Sequence, residues 1–203
     1  MIIPILKKDL ATLANLADGK STGATNFVEL TYKDGTCTLA ATDAYIVAEV
    51  VLPGYTPEEV QALPIDNTSN YLIADSLRKV IKQIPRSKTH IYVSIEGNTC
   101  ELVTDQASYE VETKGIHAPH LISMYAHVRP DRLAHAEPNN YQVESQKLKK
   151  AVTIAHDLNR ADFIQFKPIK RSGAPYLQWT SPRTDRGYAK VVMTAKYANN
   201  EVD

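Results

Sequence analysis

Two cysteines in 203 residues are too few for a disulfide framework, and a reducing compartment is the expectation that follows. Glycine is scarce as well, with eight in the whole chain. None of them forms a phosphate-cradling loop or a nucleophile elbow, and no Ser-Lys pair is visible. No stretch approaches the ~20 apolar residues of a membrane span. The N-terminal "MIIPILKKDL" is apolar first and basic second, the reverse order of a secretory leader, so the cytoplasm is the expected location. Neither sign of charge dominates, with 23 Lys plus Arg against 23 Asp plus Glu. The total therefore identifies no partner, and only the distribution of charge is informative. What the chain does have is an ordinary globular composition, 43% apolar, at a length that supports one large domain or two small ones.

It also has an internal echo. "CTLAATDAYIVAEV" begins at Cys37 and "CELVTDQASYEVET" begins at Cys100. Each places Leu two positions after Cys, then Thr-Asp, then Tyr, then alternating apolar residues, which calls for a search for repeats. Upstream of each lies a short apolar strand followed by a helical period. Leu10, Leu13, Ala14 and Ala17 share one helical face before the first copy. Leu77, Val80, Ile81 and Ile84 do so before the second, with Asp75 or Ser76 as N-cap and Pro85 as terminator. A third copy starts at "NYQVESQKLKKAVTIAHDL", where Ser145 caps and Leu148, Ala151, Val152 and Ala155 form the stripe.

Three strand-like runs follow each helix. They are joined at Asp34-Gly35 in the first copy, at Gly97-Asn98 in the second and by "KRSGA" in the third. The fold class expected is α+β, built from strand–helix–three-strand units over about 2–52, 70–116 and 140–197. One such unit covers only one sheet face. Two units related by a pseudo-twofold can close a core, with helices 7–17 and 76–84 side by side. The expected organisation is a domain over 1–116 made of units 1–52 and 70–116, a connector over 117–138, and a third unit over 139–203. That third unit would carry an exposed pairing edge.

Several residues that resemble sites read more simply as structure. Cys37 and Cys100 occupy one slot in two copies, as small buried hydrophobes do. Asp43 and Asp105 read as strand-end turn formers rather than catalytic acids. Trp179, the only Trp, reads as core or interface packing. His117, His120, His127 and His135 cluster in the connector. No Cys or carboxylate completes a ligand set with His117 and His120, and neither a metal nor any other cofactor is expected.

The first copy, through Leu39, Ala41, Thr42, Asp43, Ala44 and Ala48, resembles the sliding DNA clamps of the bacterial DNA polymerase III beta subunit type. "YLIADSLRKVIKQIP", the Cys100 copy and "YAKVVMTAKY" (188–197) are similar to further segments of that family, with Tyr45 and Ile46 as departures. The resemblance implies a non-enzymatic protein without catalytic residues that contacts double-stranded DNA. It also implies a processivity role beside a DNA polymerase or clamp loader, while the exposed edge of the third unit leads to the expectation of a homo-oligomer, a twofold dimer in which two such units pair. Its DNA-facing helices would present Lys7, Lys8, Arg78, Lys79, Lys82, Lys149 and Lys150, and a partner pocket would be bordered by Val192 and Met193. Charge placement agrees with a duplex-facing helix layer, because acids such as Glu49, Glu101, Glu110 and Glu112 collect on strands. Contacts would be non-specific, since no base-reading motif is present. The alternative is a clamp-fold adaptor or decoy that binds replication proteins without encircling DNA.

Overall fold

The computed structural model describes residues 2–17, 25–33, 35–53, 68–96, 99–114, 134–135, 141–159, 164–171, 174–182 and 187–197. Strand–helix–three-strand order occurs three times among them. The first unit is β1 (Ile2–Leu6), α1 (Lys7–Leu16), β2 (Phe27–Lys33), β3 (Thr36–Thr42) and β4 (Ile46–Pro53). The second is β5 (Thr68–Ile73), α2 (Ala74–Gln83), β6 (His90–Glu96), β7 (Thr99–Val103) and β8 (Ser108–Val111), with β9 (Thr113–Lys114) after it. β10 (Ala134–His135) precedes the third unit. That unit is β11 (Tyr141–Gln142), α3 (Ser145–Asn159), β12 (Lys167–Arg171), β13 (Ala174–Pro182) and β14 (Tyr188–Thr194), followed by β15 (Lys196–Tyr197).

Units one and two exchange their first strands. β1 pairs antiparallel with β6, Ile2 opposite Ser94 through Leu6 opposite His90. β5 pairs with β2, Phe27 opposite Ile73 through Tyr32 opposite Thr68. Each unit thus covers the open edge of the other, which removes the liability a lone unit would have. α1 and α2 lie side by side over the exchanged sheets. Alternation in the strands drives this closure: along β6 the odd positions Ile91, Val93 and Ile95 are buried while His90, Tyr92 and Glu96 face solvent.

The third unit does not stand apart with a free edge at β14. β14 pairs antiparallel with β4, Tyr188 opposite Val51 through Met193 opposite Ile46. One nine-stranded sheet results, in the order β10-β12-β13-β14-β4-β3-β2-β5-β9, beside a four-stranded sheet β1-β6-β7-β8. The junction is apolar on its core side, where Ala189, Val191, Met193, Ile46, Ala48 and Val50 are all buried. The other edge of the unit, β12, is partly covered by the β10 residues Ala134 and His135, and β11 is paired by β15. Apart from β10, the connector 117–138 lies outside the described residues.

Two local expectations are corrected. α2 is not capped by Asp75 or Ser76. Its N-cap is Ile73, extended and without a side-chain cap. Strand β5 runs straight into the helix, and tertiary partners satisfy the first amides: Ile73 N–H donates to Glu112 O and Ala74 N–H to Asn26 O, both at 2.9 Å. Asp75 and Ser76 are thereby released for other bonds. In α3 the buried stripe is Ala151, Ile154, Ala155 and Leu158, while Leu148 and Val152 are exposed. Both stripes have four apolar residues at helical spacing, so spacing alone does not choose between them. Packing on β14 and beside α1 does.

Candidate nucleic-acid interface

The three helices form a row, α2 beside α1 beside α3, on one side of the sheets. Their buried stripes face the core, so the opposite faces make one outward surface. Ala11 and Asn15 of α1, Lys79 and Lys82 of α2, and Lys149 and Thr153 of α3 lie toward that surface by helical position and exposure.

Four of the seven cations expected to contact DNA are engaged within the protein. Lys7 Nζ donates to Ile84 O at 3.0 Å and Pro85 O at 2.9 Å, which satisfies carbonyls at the C-terminus of α2. Lys8 Nζ stands 3.3 Å from Asp157 Oδ1 of α3. Arg78 donates to Ala14 O and, at 3.1 Å, to Ala17 O, bolting α2 to the end of α1. It also pairs with Asp75 at 2.5 Å, and that hydrogen bond, then the guanidinium charge, holds the Asp75 carboxyl below its ordinary range. Lys150 Nζ reaches Asp43 Oδ2 at 2.6 Å, joining α3 to the β3–β4 turn. Lys79, Lys82 and Lys149 are exposed; the Lys79 charge acts on Asp75 one turn away, while Lys82 and Lys149 have no partner among the described residues. Val192 and Met193 are both buried in the β14–β4 junction. Val192 faces away from the main core, covered by Val47 and Tyr176.

The echoed Thr-Asp turns are structural, and they differ in detail. Asp43 Oδ1 accepts the N–H groups of Tyr45 at 3.0 Å and Ile46 at 2.8 Å. In both copies the threonine Oγ1 accepts the amide two residues on, Ala44 at Thr42 and Gln106 at Thr104, but in the second copy Thr104 Oγ1 also accepts from Ala107. Asp105 is left to bond Lys88 at 2.6 Å, which lowers its carboxyl affinity for protons. Cys37 and Cys100 are free and buried. Trp179 is buried in the main core. His117, His120 and His127 lie outside the described residues, as does the His135 side chain.

Sequence reasoning did not bring together Arg86, Lys88 and Thr89 of the turn after α2 with Lys7, Lys8 and the end of α3. These residues line one cleft of about 760 Å³. The basic run through Arg86 and Lys88 was the only signal, and a run cannot show which helix ends meet it.

No protein-family model matches the sequence, and no curated protein matches it. The structure is similar to solved ones. The DNA polymerase III beta subunit of Thermotoga maritima superposes with a TM-score of 0.59 at 13% identity, over 98% of this chain and 65% of that one. A DNA polymerase III beta sliding clamp from Pseudomonas aeruginosa gives 0.49 at 13% identity, over 98% and 51%. The polymerase III beta of Caulobacter crescentus gives 0.45 at 11% identity, over 100% and 53%. The chain thus spans under two thirds of the first clamp's length and about half of the other two. With the exchanged first strands, the paired helices and the sheet continued from unit to unit, its fold is that of the bacterial DNA polymerase III beta sliding clamp.

Proposed function

We propose that the chain is a clamp-like, non-enzymatic protein whose helix row faces duplex DNA. The observation that supports this most is the set Lys79, Lys82 and Lys149, exposed on two helices of one row, of which only Lys79 has a nearby acid, Asp75. Lysines of this kind attract phosphate without reading bases. A homo-oligomer is the expected acting form and a DNA polymerase or clamp loader the expected protein partner, which gives a processivity role. The test is duplex binding by fluorescence anisotropy across a salt series. Three phosphates neutralised predict a slope of log affinity against log salt of about −3, from about −0.9 per phosphate. The triple variant Lys79→Glu, Lys82→Glu, Lys149→Glu is expected to lose binding.

A second reading, an adaptor that keeps the fold and binds replication proteins without DNA, is favoured by one specific observation. Lys7, Lys8, Arg78 and Lys150 already have partners inside the protein. No duplex binding at low salt, with wild type equal to the triple variant, selects this reading over the first.

A further inference from the structure

The cleft of about 760 Å³ lies where all three units meet. Its walls are the first turn of α1, the turn after α2 and the last turn of α3. It is concave and in the size range of small-molecule sites, larger than the cleft of about 500 Å³ that Asn15, Lys149 and Thr153 line between α1 and α3, and it has both an apolar part and a larger cationic one. Leu6, Ala11 and Leu158 supply apolar surface. Lys7, Lys8, Arg86 and Lys88 supply four cations against the two acids Asp9 and Asp157.

The cations are not equivalent. Lys8 is held by Asp157 at 3.3 Å and Lys88 by Asp105 at 2.6 Å, so both are fixed near the cleft by pairs that remain solvent-exposed and exchangeable. Lys7 Nζ uses two of its three protons on the carbonyls of Ile84 and Pro85. Arg86 is exposed and has no partner among the described residues. Its planar guanidinium offers a fork suited to two oxygens of one phosphate. Thr89 and Asn159 complete the lining, with Thr89 Oγ1 3.1 Å from His90 Nδ1 and Asn159 Nδ2 donating to Ser181 Oγ.

We infer that this cleft binds a nucleotide phosphate. The phosphate oxygens meet Arg86, with Lys88 and Lys8 alongside, and the sugar or base lies against Leu6, Ala11 and Leu158. The same chemistry is offered by a free mononucleotide and by the phosphorylated end of a nucleic-acid strand. The inference does not depend on the helix row facing a duplex.

The full chain is titrated with dAMP by calorimetry at low salt, with deoxyadenosine and inorganic phosphate alongside. One dAMP per chain is expected. Removing the phosphate from the ligand, or making Arg86→Ala, is expected to weaken binding roughly tenfold or more, the worth of a charge-assisted contact, and Arg86→Lys retains part of it. A 5′-phosphorylated single strand that competes with dAMP and outbinds its 5′-hydroxyl form assigns the site to a strand end. Binding of dAMP without such competition assigns it to free nucleotide, and either result supports the inference. The Lys79→Glu, Lys82→Glu, Lys149→Glu variant should keep its dAMP affinity whether or not duplex binding occurs. No dAMP binding, binding unchanged by Arg86→Ala, inorganic phosphate binding as tightly as dAMP, or loss of dAMP in the triple variant each overturns it.

Discussion

Lys190 on β14 and Glu49 on β4 stand directly opposite one another, Nζ to Oε2 at 2.8 Å, with the lysine side chain only 4% exposed. The pair lies on the sheet boundary between the third unit and the first. It also distinguishes β4 from the equivalent edge β8. Cys37 faces Leu52 and Ala40 faces Glu49, while Cys100 faces Val111 and Val103 faces Ser108. Ser108 therefore holds the place of Glu49 on β8. Ser108 Oγ donates to Glu101 Oε2 at 2.7 Å, so the carboxylate that β4 carries itself stands one strand further in, on β7, at the equivalent edge.

The two halves of this pair should respond unequally to substitution. Glu49→Ala leaves a buried ammonium and is expected to cost about 3–5 kcal/mol of stability. Lys190→Met leaves a carboxylate that is 22% exposed and can take up water, so its cost should be smaller. The double variant Lys190→Met, Glu49→Leu should recover much of the loss. Chemical denaturation of the three variants measures this. Equal losses from the two single changes would show that the burial of Lys190 is not what matters.

Gly187 is required by the same junction. A Cβ placed there would fall 2.1 Å from Val51 O and 3.0 Å from Leu52 Cδ2. The nearest atom is backbone of β4, so it cannot swing aside. Gly187→Ala is expected to destabilise by roughly 1–3 kcal/mol, the usual cost of forcing atoms into a closed site. Limited proteolysis should then cut the third unit before the first two. Wild-type resistance in that variant would mean the junction tolerates the shift.

The β3–β4 turn contains a strained residue that a glycine would relieve. Ala44 has φ 76°, a left-handed conformation that costs an L-residue about 1–2 kcal/mol. Asp43 enforces it by accepting two amides beyond the turn. Against that gain stands the extra unfolded-state freedom of glycine. Ala44→Gly should therefore raise stability by about 0.5–1 kcal/mol, read as a higher denaturation midpoint at unchanged slope. A lowered midpoint would mean that the alanine methyl contributes more than its strain.

Much of this architecture is legible in sequence because each unit writes its pattern locally. Strand alternation around Ile91, Val93 and Ile95, the helical stripe from Leu77 to Ile84, and the stop at Pro85 need only neighbours in the chain. What the sequence does not reveal is decided between units. Nothing near Ser145 says whether Leu148 or Leu158 turns inward, since that depends on α1 and β14. Nothing near Lys190 shows that its partner is Glu49. The basic residues were legible as a class, but not that Lys7, Lys8, Arg78 and Lys150 bind within the protein. Apart from the local Arg78–Asp75 pair, those bonds are long-range: Arg78 to Ala17 spans 61 positions, Lys7 to Ile84 77, Lys150 to Asp43 107, and Lys8 to Asp157 149, from 157 − 8.

The two cysteines test how evenly the sheets are held. Burial pushes both thiols up to about 12, with the Glu101 charge adding to the effect at Cys100. At pH 8 a thiol of that kind is thiolate in only about one molecule in ten thousand, and the thiolate is the reactive form. Neither cysteine should react with a disulfide reagent in the native protein at pH 8, and both should after denaturation. Between those limits their order should differ. Cys37 lies on β3, enclosed between the seven residues of β2 and the eight of β4. Cys100 lies on β7, where the outer neighbour β8 has four residues and forms the edge of its sheet. A short edge strand opens at lower cost than a central one, so Cys100 should become labelled at lower denaturant concentration than Cys37. Mass spectrometry of the labelled peptides across a denaturant series separates the two sites. Simultaneous labelling would mean that both sheets open only together, as one cooperative unit.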